Sequence, residues 1–117
     1  MKENIILTKT YSFALRIIKL YKYLSDDKKE YTLSKQILRS GTSIGANAEE
    51  ASGSISKKEF RAKLFISYKE ARETHYWLRL LKDSDYIELK LANSLIEDVE
   101  EIMKILGAIL KTVSSKE

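Results

Sequence analysis

His75 is the first residue to weigh for chemistry, because it is the only histidine in a chain without cysteine. Di-iron four-helix proteins combine Glu from two helices with Glu-x-x-His from two others, and no Glu-x-x-His occurs here. Some RNA-cleaving helical bundles place a His at least one turn beyond an Arg, whereas Arg72 and His75 are closer than that. GTSIG also lacks the Lys-Ser/Thr of a phosphate-binding loop. We therefore predict no catalytic, cofactor-binding or metal site, and a hydrolytic enzyme acting on RNA through His75 is the alternative.

Two clusters of basic residues are candidates for contacting nucleic acid. One lies along the first predicted helix and contains Lys9, Arg16, Lys19 and Lys22. The other lies at the start of the third predicted helix and contains Lys57, Lys58, Arg61 and Lys63. Lys and Arg contacts to phosphates hold a protein on RNA or DNA without reading its sequence. Charged faces that only contact solvent are the alternative explanation, and no base-reading module is recognisable.

A row of short polar side chains follows the predicted second helix in steps of four and three. It contains Gln36, Ser40, Ser43, Asn47 and Glu50, and beside it lies a small apolar row of Ile37, Gly41, Ile44, Ala48 and Ala51. Buried polar groups must be paired. We therefore expect a buried, structural hydrogen-bond network in which Arg39 or Asn47 is satisfied by Glu50, Glu70 or Glu73. A ligand groove between the second and third helices is the alternative.

Gly41 and Gly45 form a G-x-x-x-G within the same helix. Each glycine costs roughly 1 kcal/mol relative to alanine in a helix interior. Close approach of a neighbouring backbone is the expected compensation.

Apolar residues recur at helical spacing along four segments, at about 5–24, 32–52, 57–82 and 88–113. Ser56 and Glu59 form a capping box, and Ile55 and Phe60 a hydrophobic staple, at the start of the third helix. The core rows predicted for the first, third and fourth helices are Ile6, Thr10, Phe13, Ile17, Leu20 and Leu24; Phe60, Leu64, Ser67, Ala71, Thr74, Leu78 and Leu81; and Ala92, Leu95, Val99, Ile102, Leu106, Ile109 and Val113. Short connections predict one all-α domain over residues 1–117, an antiparallel up-down-up-down four-helix bundle.

The chain has more apolar surface than one such bundle can bury. The first helix carries a second row of Leu7, Tyr11, Ala14, Ile18 and Tyr21, and in residues 102–110 only Lys104 is charged. Large exposed apolar patches mark interfaces, so these rows predict a homo-oligomer.

Charge is unevenly distributed along the 117 residues, whose net charge is +4. Residues 1–48 hold nine Lys or Arg and four Asp or Glu, and residues 49–82 hold eight and five; residues 83–117 hold four and eight. A basic front and an acidic tail favour either a polyanionic partner or pairing between faces of opposite charge. The absence of cysteine, of an apolar leader and of a membrane-length apolar run predicts a cytoplasmic protein with no membrane partner.

The segments LSKQILRSGTSIGANAEEA, SKKEF and YKEARETHYWLRLL resemble the four-helix-bundle family first described as proteins encoded in ribosomal-RNA intervening sequences. The resemblance covers essentially the whole chain. Its most specific residues are Gln36, Arg39, Ser40, Ser43, Ile44, Asn47, Glu50, Ser56, Phe60, Glu70, Glu73 and Leu78.

This resemblance implies a bundle that assembles as a ring-like homopentamer, without known catalytic residues. It also implies kinship with the accessory variability proteins of diversity-generating retroelements, which are basic pentamers that bind nucleic acid and a reverse transcriptase. Residues and resemblance together predict a non-enzymatic oligomer that binds RNA or DNA, or acts as a scaffold, through its basic faces. Its predicted partners are other copies of itself, nucleic acid and, by family analogy, a reverse transcriptase.

Overall fold

Four helices form the fold, as predicted, in a computed structural model that describes residues 2–116 and the side chains of residues 5–114. They are α1 (Lys2–Asp26), α2 (Leu33–Ser52), α3 (Lys57–Asp83) and α4 (Leu89–Lys116). No strand occurs among the described residues. The first helix extends beyond its predicted segment, 5–24, at both ends, and the fourth extends beyond its predicted segment, 88–113, only at its C-terminal end. The molecule measures 47 × 20 × 20 Å.

Each helix packs on the next along the chain, and α4 returns to α1. Contacts between α2 and α3 pair Ser40 with Thr74 and Ile44 with Ser67, so residue numbers rise along one helix as they fall along the other. The α1–α4 ion pair Lys9–Glu101 and the pair Arg16–Asp98 show the same reversal. Neighbouring helices therefore run in opposite directions.

The core consists of the rows that the helical spacing picks out. All six residues of the α1 row are buried, and so are the five residues of the apolar row of α2. In α3 and α4 only the terminal members of the rows, Phe60 and Val113, are half-buried. Packing of these rows against one another supplies most of the stability of such a bundle.

Side chains and backbone conformation explain where the helices start and end. The Glu30 carboxylate accepts hydrogen bonds from the backbone N–H groups of Thr32, Leu33 and Ser34, at 3.2, 3.0 and 2.7 Å, and so caps α2. Lys29, with φ 56°, closes α1 by adopting the left-handed conformation that glycine usually supplies.

The start of α3 matches its predicted cap but not its predicted staple. The Ser56 hydroxyl accepts a hydrogen bond from the Glu59 N–H at 3.0 Å, so Ser56 is the N-cap. Ile55 is 95% exposed, so the hydrophobic staple between Ile55 and Phe60 is wrong. Gly53 occupies the C-cap of α2 with φ −91°, a conformation open to any residue.

Gly45 shows why α2 contains glycines, because it lies against the main chain of α1. A Cβ at Gly45 would lie 3.4 Å from the carbonyl oxygen of Thr10 and 3.3 Å from its hydroxyl. Thr10 directs that hydroxyl to the Ile6 carbonyl oxygen at 2.8 Å, so the polar atom is satisfied within α1. The close approach predicted for the G-x-x-x-G is therefore present between α1 and α2.

None of the helices, within the part of the chain that the structure describes, is long and apolar enough to cross a bilayer.

Candidate nucleic-acid interface

The four basic candidates on α1 differ in what surrounds them. Lys9 Nζ lies 2.8 Å from Glu101 Oε1, and Arg16 pairs with Asp98 while its Nη2 lies 3.1 Å from Ser94 Oγ. These contacts join α1 to α4, the most loosely packed pair of neighbouring helices. A cation already paired with a carboxylate attracts phosphate less strongly. Lys9 and Arg16 are therefore mainly contacts between α1 and α4.

Lys19 and Lys22 are exposed on the same helix and make no ion pair with any described residue. Arg16 and Lys19 also border a cavity of about 370 Å³ between α1 and α4, whose other walls are apolar. The α1 cations therefore do not form one continuous cluster.

The basic candidates on α3 lie in its first two turns, near one end of the bundle. Lys57 and Lys58 are exposed and make no ion pair within the described part of the chain. Lys63 Nζ lies 2.9 Å from Glu50 Oε1 of α2, and this hydrogen bond raises the pKa of Lys63, which keeps its positive charge at neutral pH. The partial positive charge of a helix N-terminus adds to the field of these lysines, although Glu59 offsets part of it.

Residues of α4 extend the α3 cluster in a way that the sequence did not reveal. Lys58 and Arg61 line a groove of about 540 Å³ between α3 and α4, together with Phe65, Tyr68 and Lys111. Spacing of three and four along α3 aligns Lys58, Arg61 and Phe65 on one face. The contribution of Lys111 could not be found in this way, because it depends on the register between two helices.

The predicted polar network divides into a surface cluster and separate contacts. Arg39 contacts Gln36 of its own helix at 3.3 Å and, across the α2–α3 seam, Glu70 at 3.4 Å and Glu73. The Trp77 Nε1–H donates to Glu73 at 2.9 Å. The side chains of Arg39, Glu70 and Glu73 are 49%, 21% and 35% exposed, so the buried location expected for this part of the network is wrong.

The remaining network residues bond elsewhere. Ser43 Oγ donates to the Arg39 carbonyl oxygen and Asn47 Nδ2 to the Ser43 carbonyl oxygen, both within α2, and Glu50 pairs with Lys63. Only Ser40 is fully buried, at 2.8 Å from the Thr74 hydroxyl. A second buried link runs from Ser67 Oγ to the Ile44 carbonyl oxygen at 2.7 Å. The buried polar links between α2 and α3 are thus made by hydroxyl groups of the α3 core row.

The sequence profile of the 23S rRNA-intervening sequence protein family matches residues 2–108 of the chain. The chain belongs to this family. The family is the one that the sequence resembles, and the match confirms that part of the prediction. A solved structure from the S23 ribosomal protein family of Bacteroides thetaiotaomicron, described as a protein with unknown function, superposes with a TM-score of 0.93. The two sequences are 50% identical, over 95% of this chain and 99% of that chain. No protein with a curated description matches.

His75 contacts a carboxylate of α4 in this member of the 23S rRNA-intervening sequence protein family. Its Nε2 lies 3.0 Å from Glu100 Oε2 of α4, and its side chain is 21% exposed. Among the described residues no group of three or more His, Asp and Glu side chains could hold a metal ion. Neither the family nor the Bacteroides protein is described as an enzyme, so the alternative of a hydrolase centred on His75 gains no support.

Proposed function

We propose that this member of the 23S rRNA-intervening sequence protein family is a non-enzymatic, oligomeric protein that binds RNA or DNA. The binding surface is the start of α3, with Lys57, Lys58 and Arg61, extended by Lys111 of α4. The observation that carries the proposal is the grouping of these cations near one end of the bundle, away from the carboxylates that pair with Lys9 and Arg16. Lys and Arg side chains contact phosphates without reading bases.

Assembly would increase the strength of such weak contacts. The exposed side of α1 carries Tyr11, Leu15 and Ile18, which are 65%, 54% and 37% exposed and follow one another in steps of four and three. An apolar row on the side of a helix opposite its core row supports a contact between subunits. A ring, for which the family resemblance suggests five subunits, repeats the basic surface and multiplies its contacts with one polymer.

The family resemblance also suggests a reverse transcriptase as a protein partner inside the cell. Co-purification of the tagged protein from its native host, followed by mass spectrometry, tests this part of the proposal. Recovery of other copies of the chain without any nucleic-acid enzyme would contradict it.

Salt-dependent binding of random-sequence RNA and DNA, measured by fluorescence anisotropy, tests the proposed function. The logarithm of the affinity should fall with the logarithm of salt concentration with a slope of about −0.9 per duplex phosphate contact. The triple variant Lys57→Glu, Lys58→Glu and Arg61→Glu should lose binding to all sequences alike.

A matched control has the same change in net charge at the opposite end of the bundle. Lys28→Glu, Lys35→Glu and Lys90→Glu replace three exposed lysines there and should preserve binding. Equal loss in both triple variants would assign the effect to net charge, and binding that ignores salt and the α3 reversals would refute the proposed surface.

A further inference from the structure

The groove between α3 and α4 combines features that the proposed phosphate contacts do not require. Phe65 is 51% exposed although it lies in a helix with a well-filled core row. Tyr68, one turn further on, packs against the core and forms part of the groove wall. A surface that only attracted phosphates would need cations and no exposed aromatic ring.

Gly107 keeps the α4 side of the groove open. A Cβ at Gly107 would meet only Tyr68 Cε1, at 3.9 Å, which is an ordinary contact distance. Packing therefore does not require this glycine, although it costs roughly 1 kcal/mol relative to alanine in a helix interior. The absent side chain instead leaves space beside the aromatic residues of α3.

Charge on the groove has one sign. Lys58 and Arg61 contribute from α3 and Lys111 from α4, and none of the described residues that line the groove is Asp or Glu. Lys69, outside the groove lining, places its Nζ over the Phe65 ring, 5.9 Å from the ring centre. The groove thus suits a flat apolar group that carries anionic groups on either side.

We propose that this groove binds a single-stranded segment of RNA or DNA, with one unpaired base stacked on Phe65 and the flanking phosphates held by Lys58, Arg61 and Lys111. This inference rests on the proposed function, because it specifies which form of nucleic acid the α3 surface takes. Exposed aromatic rings beside cations bind single strands, since every base offers a face for stacking. The bases of a duplex are already stacked and paired. The phosphates of a duplex can therefore contact the cations, but its bases cannot stack on Phe65.

Phe65→Ala separates stacking from phosphate contact. Its affinity for a labelled oligouridylate or oligothymidylate should fall about tenfold to a hundredfold, the effect of losing one stacked base. Its affinity for a blunt duplex of the same length should not change. Tyr31→Ala removes another exposed aromatic residue, at the opposite end of the bundle, and should change neither affinity.

Phe65→Trp supplies a direct signal for stacking. This variant should bind the single strand at least as tightly as the wild type, and base stacking should quench the added indole fluorescence. Titration of the wild type, whose only tryptophan is Trp77, gives the background to subtract. Circular dichroism of each variant verifies that the helices are retained.

The outcomes distinguish the inference from the proposed function. A wild-type protein that binds neither single strand nor duplex refutes both. If the wild type binds single strand and duplex in a salt-sensitive way, and Phe65→Ala changes neither affinity or lowers both equally, the stacking inference is refuted. The proposed function then remains in place. A Phe65→Ala variant that forms a smaller oligomer than the wild type would assign the groove to a contact between subunits and would overturn the inference.

Discussion

Gly41 of α2 faces Ile17 of α1 at a distance that leaves no room for a methyl group. A Cβ on Gly41 would lie 2.8 Å from Ile17 Cγ2, 2.9 Å from Cγ1 and 3.2 Å from Cβ. Ile17 is fully buried and branched at Cβ, so it cannot turn aside within its helix. This contact sets how closely α1 and α2 approach each other in the core.

Gly41→Ala should therefore destabilise the protein. Forcing a methyl group into a filled core costs about 1–3 kcal/mol. A distance of 2.8 Å to Ile17 Cγ2 favours the upper part of that range, which exceeds the roughly 1 kcal/mol gained in helix propensity. Gly107→Ala is the matched control, because its Cβ meets only one atom at 3.9 Å, and it should raise stability by up to about 1 kcal/mol. Melting temperatures at one fixed protein concentration compare the two. Stabilisation by both substitutions would contradict a tight α1–α2 contact.

The buried hydroxyl pair of Ser40 and Thr74 should behave as a unit. Thr74 Oγ1 lies 2.8 Å from both Ser40 Oγ and the Glu70 carbonyl oxygen. Thr74→Val leaves Ser40 buried without its partner hydroxyl, at an expected cost of about 1–2 kcal/mol. Adding Ser40→Ala should recover part of the loss, because replacing both partners removes the unsatisfied group. Urea unfolding of the two single variants and the double variant measures the coupling, and strict additivity would show that the hydroxyls act independently.

The core of the fold could be predicted from the sequence because helical periodicity alone determines it. Residues such as Phe13, Ile44 and Leu106 lie on the buried face wherever the helix begins, and errors of a few residues at the ends do not change that face. Helix termini depend on more local contacts. The cap that Glu30 provides for α2 was missed because its side chain reaches forward from a polar loop, and the staple at Ile55 failed although the Ser56 cap beside it formed.

The candidate site was harder to predict because it depends on how two helices are aligned. A single helix shows that Lys58, Arg61 and Phe65 share a face, but not that Lys111 of α4 lies across from them. The same reason explains Arg39, which meets Glu70 and Glu73 at the surface and not in the buried network expected for it. A polar residue next to an apolar row can lie on either side of the boundary with solvent, and only the neighbouring helix decides which.

Glu30 should contribute measurably to stability through the start of α2. Its carboxylate accepts hydrogen bonds from three backbone N–H groups that would otherwise lack partners. Glu30→Ala should therefore lower the free energy of unfolding by about 1 kcal/mol. Asp27→Ala, in the same loop, removes an acid with no such contacts and should have little effect. Chemical denaturation of both variants provides the comparison, and equal losses would mean that loop charge, not capping, is responsible.

Oligomer formation through α1 is tested by placing a charge on its exposed apolar row. Leu15 lies between Tyr11 and Ile18 on the side of α1 away from the core and is 54% exposed. Leu15→Glu should therefore spare the fold of one chain but destabilise a contact between chains, because a carboxylate buried there would lose its hydration. Leu89→Glu, at the start of α4, introduces the same charge at a residue that is 64% exposed and should leave assembly unchanged.

Light scattering coupled to size exclusion, at micromolar protein, measures the outcome. The wild-type protein should have a mass several times the 13.5 kDa of one chain, or five times if the assembly is the pentamer that the family resemblance suggests. Leu15→Glu should lower the measured mass towards that of one chain while the helices are retained. Burial of apolar surface contributes about 25 cal/mol per Å² before the cost of association is subtracted, and a buried carboxylate opposes that gain. A wild-type mass near that of one chain would refute the oligomer, and a stable dimer or tetramer would refute only the count of five. An oligomer that Leu15→Glu leaves intact would show that the subunits meet through a surface other than this row of α1.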